Sequence, residues 1–518
     1  MLVIFILFLS LFRIDYRFKT TVECCSDDYD YFLHASTIAL DFDLDYSNQN
    51  PREYSYNQNG KLTPIGFIGS GILSAPFLFV GEKLDTFFGS ADNLSKFNYL
   101  LILYSLAPLV YLFFTFLLIL KTLSLFKFTF NKYNVLLYLF GSGVIYYSFE
   151  RFSMTHTYEV FTNSLIMYTS ARYYLSSKSY SNFYALTLPF FILIGFLTRM
   201  SNFYIFLIPL FIKTLLMQNN FKVENRIFKN IYFLTSSLIS FIAYFFISIE
   251  LYGEFILNPQ RIYNSSVNVE DYLFMGSNLF ESLISILKSL FIVTFSFEFG
   301  IFWVGPILFV GLISIFYVFK SNNRLESFLL ILFFSQNIFI VHIWQAAGSS
   351  YGFRYLFSLV PISIIVYFNF FRHNKFINRY LYVFSILGLL SVLFFETTTL
   401  TQLSTTEEIN SFGRSIKYTE PNYVFGLFQS FFNFESYLII FSTSFLGVLF
   451  FKSILMFLSL DELYVFLNKL NLPTDNTDFQ IYLSNLEPIS IDRIIFVLIF
   501  LLLGSYYVVN KLPEIEKK

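Results

Sequence analysis

FNYLLILYSLAPLVYLFFTFLLIL, residues 97–120, decides the fold class. It holds no charged residue and is long enough to cross the hydrocarbon core of a bilayer, which takes about 20 apolar residues as a helix. Similar stretches recur at 133–149, 157–174, 229–249, 299–319, 326–344, 353–371, 378–396, 436–457 and 492–511. The run 183–217 is longer and is interrupted by Thr198-Arg199-Met200-Ser201-Asn202, which reads as two short helices meeting at a polar break, because an unpaired arginine at mid-membrane costs several kcal/mol. MLVIFILFLSLF at the start reads as an uncleaved first helix. Segment 62–81, LTPIGFIGSGILSAPFLFVG, has two prolines and four glycines and reads as a half-buried juxtamembrane helix as easily as a span; it is taken as non-spanning. The expectation is an all-α polytopic membrane protein with about 11–13 transmembrane helices and juxtamembrane helices in the first outer loop.

Composition agrees. The 518 residues are 56% hydrophobic and 13% charged, against about 25% charged in soluble domains. A net charge of -1 gives nucleic-acid binding no electrostatic support. The abundant Phe and Tyr serve as lipid-facing bulk. Cys24 and Cys25 are adjacent and make no disulfide framework.

The positive-inside rule orients the chain. With helix 97–120 running inward, the inner loops hold Lys121, Lys127, Lys132, Arg172, Lys178, Lys213, Lys222, Arg226, Lys320, Arg324, Arg372 and Lys375 and almost no acid. The outer loops, 20–61, 150–156, 198–202, 250–298, 345–354 and 397–435, are rich in Asp, Glu, Asn and Ser. The expected location is the plasma or inner membrane, with the polar loops exofacial. Residues 1–397 read as one transmembrane module carrying most of these loops and 398–518 as a C-terminal membrane region to which no role is assigned.

Five constellations fall on the outer side. Asp27, Asp28 and Asp30 precede YFLHASTIAL, an amphipathic helix with carboxylates at its N-terminus; such acids cap a helix or, clustered at a membrane boundary, bind a cation or act as a general base. DFDLDYSN, residues 41–48, reads as a turn closing that helix. SFERFSMTHTYEVF, residues 148–161, crowds Glu150, Arg151, His156 and Glu159 into a short turn, where His156 is a hydrogen-bonded structural residue or a ligand. Arg199 and Asn202 suit a phosphate, or headgroup snorkelling. The loop 250–298 ends on Glu298, and WQAAGSSYGFRYLFSLVP, residues 344–361, places Trp344, Ser350 and Arg354 around a Gly/Ser turn that serves as a phosphate grip or a simple interhelical turn.

Taken in order, these loops resemble the GT-C superfamily of integral-membrane glycosyltransferases, close to the dolichyl-phosphate-mannose protein mannosyltransferases and the aminoarabinose lipid A transferases. The resemblance rests on Asp27-Asp28-Tyr29-Asp30-Tyr31, Ser153-Met154-Thr155-His156-Thr157-Tyr158, Leu197-Thr198-Arg199 with Asn202, Glu298 to Pro306, and Trp344 with Gly348 to Arg354. It covers about residues 20–370. The resemblance implies a sugar donor on a polyprenyl phosphate, a glycan, lipid or protein acceptor, surrounding membrane lipids and no nucleic acid. Asp27 or Asp28 would be the base; Arg199, Asn202, Trp344, Ser350, Arg354 and Glu298 would bind substrate. A divalent metal is a candidate cofactor, with His156 standing where many family members carry an Asp. The rival readings are a lipid or sugar transporter or flippase without chemistry, and an O-antigen-type polymerase or ligase. No internal repeat of the transporter kind is evident.

Overall fold

A computed structural model describes residues 26–49, 57, 59–88, 99–149, 151–223, 227–257, 279–297, 300–320, 323–344, 351–394, 405–409, 415–419 and 457–469, with isolated positions and short pieces of 431–454, 499 and 503. The chain is an all-α membrane protein. Five of its described helices are long and apolar enough to span a bilayer: Tyr99–Leu125, Tyr180–Thr198, Ile231–Tyr252, Arg324–Val341 and Lys375–Phe394. Three shorter apolar segments, Phe203–Gln218, Pro306–Lys320 and Arg354–Phe370, accompany them.

In chain order the elements that position the site are α1 (Ser26–Ser36), α2 (Ile68–Phe88), α3 (Tyr99–Leu125), α4 (Lys132–Leu139), α5 (Ile145–Phe149), α6 (His156–Leu175), α7 (Lys178–Thr198) and α8 (Ile208–Gln218). They continue with α9 (Ile231–Tyr252), α10 (Leu279–Phe295), α11 (Ile301–Val304), α12 (Pro306–Lys320), α13 (Arg324–Trp344), α14 (Val360–Phe370) and α15 (Lys375–Phe394). A two-stranded antiparallel hairpin follows, β1 (Thr405–Ile409) with β2 (Ser415–Thr419), and then α16 (Leu460–Lys469). The hairpin is an addition to the all-helical expectation. Most of 398–518, including the expected spans 436–457 and 492–511, lies outside the described residues.

α9 shows why this fold requires lipid. Ser236, Ser240, Tyr244 and Ser248, spaced by four, are buried against the bundle, while Leu238 and Phe246 are 60% and 65% exposed. Hydroxyl-bearing residues inside, three of them serines, and bulky apolar residues outside invert the pattern of a water-soluble helix and match helix packing in a bilayer. α9 packs along α7, where the Ser236 hydroxyl reaches the Ala185 carbonyl at 3.4 Å.

α6 is the central helix, packed against α3, α7, α8 and α14, with almost its whole length buried. Its Asn163 Nδ2 donates at 2.7 Å both to the Tyr204 hydroxyl and to the Ser358 carbonyl. Those two partners belong to matching breaks. α7 stops at Thr198, Arg199 is extended (φ -155, ψ 100), and a 3-10 turn, Phe203–Leu207, leads into α8 with Pro209 in its first turn. Likewise a 3-10 turn, Arg354–Leu359, leads into α14 with Pro361 in its first turn. Proline there lacks only an N–H that the first turn leaves unpaired anyway. Each break therefore carries an arginine at its polar end. The two short helices expected across 183–217 are present, with the interruption at Arg199.

The expected span 133–149 is not one continuous helix. α4 and α5 are joined by a π turn, Phe140–Val144, in which Gly143 has φ 91. A Cβ on Gly143 would sit 2.5 Å from the Tyr351 ring, so both the backbone and the packing require glycine there. The segment 62–81 resolves into the start of α2, whose Gly69 abuts the backbone of Leu197 and Thr198 immediately before Arg199.

Candidate active site

α1 forms where the sequence places its acids. Helical positions i, i+3 and i+4 share a face, so Asp27, Asp30 and Tyr31 turn together into one cavity. Asp28, about 100° away around the helix, points elsewhere: its carboxylate pairs with Arg151, and its carbonyl accepts from the Ser153 hydroxyl at 2.6 Å. That hydroxyl also meets the Tyr104 hydroxyl at 2.7 Å. Asp28 and Arg151 are buried, whereas the Asp27 side chain is 51% exposed. The anchored Asp28 thus fixes the first turn of α1 and leaves Asp27 facing the cavity.

The cavity is completed by Ile65, Gly66 and Phe67 ahead of α2, Met154 ahead of α6, Arg199 and Ser201 at the first break, Ile340 of α13, and Arg354 and Tyr355 at the second. Arg354 Nη1 stands 3.8 Å from Asp27 Oδ2. The Tyr355 ring holds both cations, with the Arg199 guanidinium 4.4 Å and the Arg354 guanidinium 5.3 Å from its centroid.

Behind this wall lies a buried polar cluster centred on Glu159. Its Oε1 accepts from Arg199 Nε at 2.8 Å and from the Thr155 hydroxyl at 2.9 Å, and its Oε2 accepts from Asn202 Nδ2 at 2.8 Å. Arg199 Nη2 also donates to Thr155 Oγ1 at 3.1 Å. Arg199 is thereby locked in orientation, with its charge compensated from behind. Asn202 serves the same carboxylate and does not line the cavity. His156 is buried in this cluster, Nδ1 3.1 Å from Glu159 Oε1, with the rings of Tyr147, Tyr355 and Phe357 around it.

α1 is tied down at its other end by His34. Its Nε2 donates to the Gly66 carbonyl at 2.9 Å, which leaves Nδ1 to accept from the Tyr46 hydroxyl at 2.6 Å. Burial lowers the His34 pKa from 6.5 to about 4. Burial also pushes the Tyr31 phenol up.

The structure therefore brings Asp27, Arg199 and Arg354 into one cavity and puts Asp28, Asn202 and His156 into the layers that hold it. Trp344 is the last residue of α13, and Glu298 and Ser350 lie outside the described residues. Tyr31, Ser201 and Tyr355 line the cavity without having been singled out as site residues. Glu159, noted only as one of a crowd of charges, is the hub of the second layer. A buried arginine demands an acid, and that demand is the signal that could have found it.

A divalent metal does not fit the described donors. Glu159 spends its oxygens on Arg199, Thr155 and Asn202, and His156 is enclosed by aromatic rings. The cavity facing Asp27 carries two guanidiniums, and no cluster of three His, Cys, Asp or Glu able to hold a metal occurs among the described residues.

Fold and site together define a polytopic helical membrane protein with an acidic and basic cleft built at two helix breaks. No family model matches the chain, and no curated protein matches it. Among solved structures it is similar to the Archaeoglobus fulgidus oligosaccharyltransferase in its apo form, at 14% identity and TM-score 0.39 over 94% of this chain and 60% of that one. It is also similar to the archaeal oligosaccharyltransferase AglB from Archaeoglobus fulgidus in complex with an inhibitory peptide and a dolichol-phosphate, at 15% identity and TM-score 0.31 over 90% of this chain and 57% of that one. The chain spans about 60% of the length of the first of these structures.

Proposed function

We propose that the protein is a glycosyltransferase that moves a sugar from a polyprenyl-phosphate carrier to an acceptor hydroxyl at the outer face of the plasma or inner membrane. The observation that carries the reading is the cleft itself: an exposed carboxylate, Asp27, 3.8 Å from the Arg354 guanidinium, with Arg199 lining the same cavity.

Inverting transfer needs a base on one side of the anomeric carbon and a place for negative charge on the other. Asp27 takes the proton of the acceptor hydroxyl as that oxygen attacks the anomeric carbon. The bond from that carbon to the phosphate oxygen breaks, and the lipid phosphate leaves with the electron pair. Arg354, assisted by Arg199, holds the phosphate charge. A phosphate leaves without an acid catalyst, so one carboxylate suffices. Asp28 and the Glu159 cluster act through position: the first aims Asp27, and the second locks Arg199. The acceptor is a glycan, lipid or protein, all of which present hydroxyls.

The test compares surface glycans and membrane lipids, by mass spectrometry, in cells carrying the wild type and Asp27→Asn. The variant should lose one glycosylated product and accumulate the lipid-phosphate sugar. Unchanged products with a folded Asp27→Asn protein would favour transport without chemistry.

A further inference from the structure

The end of the bundle remote from the cleft carries a second charged constellation. Lys127 follows α3, Lys132 opens α4, Arg372 and His373 follow α14, and Lys375 opens α15. The 3-10 turn and α14 separate Arg354 from Arg372 by on the order of 28 Å by helix rise. The two arginines therefore stand at opposite ends of this helical segment, a length close to that of a bilayer core. Among the described residues none of Lys127, Lys132, Arg372 and Lys375 has an acidic partner.

Aromatic rings support them instead. Arg372 lies 5.2 Å from the Phe128 ring centroid, Lys127 5.7 Å from that of Phe221 and Lys132 5.9 Å from that of Tyr133. Phe126 joins two of these rings, 5.4 Å from Phe128 and 6.4 Å from Phe221, so Lys127 and Arg372 share one platform. Arg372 Nε donates to His373 Nε2 at 3.0 Å, but its Nη1 is buried with no acceptor among the described residues. A buried guanidinium N–H without an acceptor is costly unless a ligand supplies one. Helix dipoles account for cations after the C-termini of α3 and α14. They oppose Lys132 and Lys375 at the N-termini of α4 and α15, so helix stability does not explain the set.

We propose that this end binds the headgroup phosphate of an anionic phospholipid, with Arg372 as the direct contact and Lys127, Lys132 and Lys375 as the surrounding positive field. A lipid fits because the cations sit among rings that suit the water–lipid boundary, with Phe376 79% and Tyr133 49% exposed beside them.

The test uses the full chain in phosphatidylcholine nanodiscs and counts immobilised spin-labelled phosphatidylglycerol against spin-labelled phosphatidylcholine. Phosphatidylglycerol should be preferred, and Lys127→Gln or Arg372→Gln should each lower the preference about fivefold. Lys83→Gln should leave it unchanged, since α2 ends beside the start of α3 through Gly81 and Leu100. Should Arg372→Gln fail to fold, the exposed Lys375→Gln carries the same expectation. Equal association of the two lipids, or an undiminished preference in the variants, overturns the proposal. So does displacement by inorganic phosphate as complete as by excess phosphatidylglycerol, which would make this a free-anion site. The readout does not depend on sugar transfer.

Discussion

Glu159→Gln is the most informative perturbation of the buried cluster. The side chain keeps its volume and loses its charge. Three donors now converge on the carboxylate: Arg199 Nε at 2.8 Å, Asn202 Nδ2 at 2.8 Å and the Thr155 hydroxyl at 2.9 Å. A glutamine amide has one acceptor oxygen, so its NH2 must face either Asn202 or the Arg199–Thr155 side, donor against donor. Arg199 is meanwhile left as an uncompensated buried charge. Removing one partner of a buried pair costs about 3–5 kcal/mol, a large share of the roughly 5–15 kcal/mol that holds a typical domain together. The assay is equilibrium unfolding of purified protein in mixed micelles, followed by circular dichroism. Arg199→Met in the same background removes the stranded charge, so the double variant should be less destabilised than the two singles added, by about 2 kcal/mol. Single losses under about 1 kcal/mol that add without coupling would refute the idea that Glu159 and Arg199 are a load-sharing buried pair.

Three further outcomes follow from the packing and the protonation states. His34 has a folded pKa of about 4 against 6.5. The unfolded form therefore binds the proton first as pH falls, and stability is lost between about pH 6.5 and 4, by about 3 kcal/mol in all; proteolysis around α1 should rise over that window and lose its pH dependence in His34→Gln. Gly69→Ala puts a Cβ 2.2 Å from the Thr198 backbone nitrogen and should cost about 1–3 kcal/mol. Gly195→Ala, whose nearest atom is 3.3 Å away on a flexible isoleucine, should be near neutral, both variants being compared by melting temperature. Gly143→Ala forces a side chain into φ 91 against the Tyr351 ring and should lower stability by at least about 1 kcal/mol by melting temperature.

The break at Arg199 was legible in the sequence because an arginine cannot lie unpaired in a span. Its partner was not, because Glu159 meets it only through the packing of α6 on α7. Asp27 and Asp28 looked equivalent as neighbours in sequence; the roll of α1 separates them, and that roll is set by the Arg151 and Ser153 anchors, which are tertiary. The run 133–149 read as a plain span because its apolar content is high, although Gly141-Ser142-Gly143 already signalled a bend that the facing Tyr351 and Ser385 make necessary. Tyr355 lies in the apolar stretch 353–371 and nothing in the sequence set it apart. Its role as the ring beneath two guanidiniums depends on the second break meeting the first across Asn163.

Asp27 and Arg354 are proposed to act together on a lipid phosphate in one cleft. The direct measurement is release of polyprenyl phosphate from lipid-phosphate sugar by the purified protein, in the wild type, Asp27→Asn and Arg354→Gln. Release should fall about 10²–10⁴-fold in Asp27→Asn and about 10²–10³-fold in Arg354→Gln, with both proteins folded. Wild-type release rates in a folded Asp27→Asn variant would contradict that joint action.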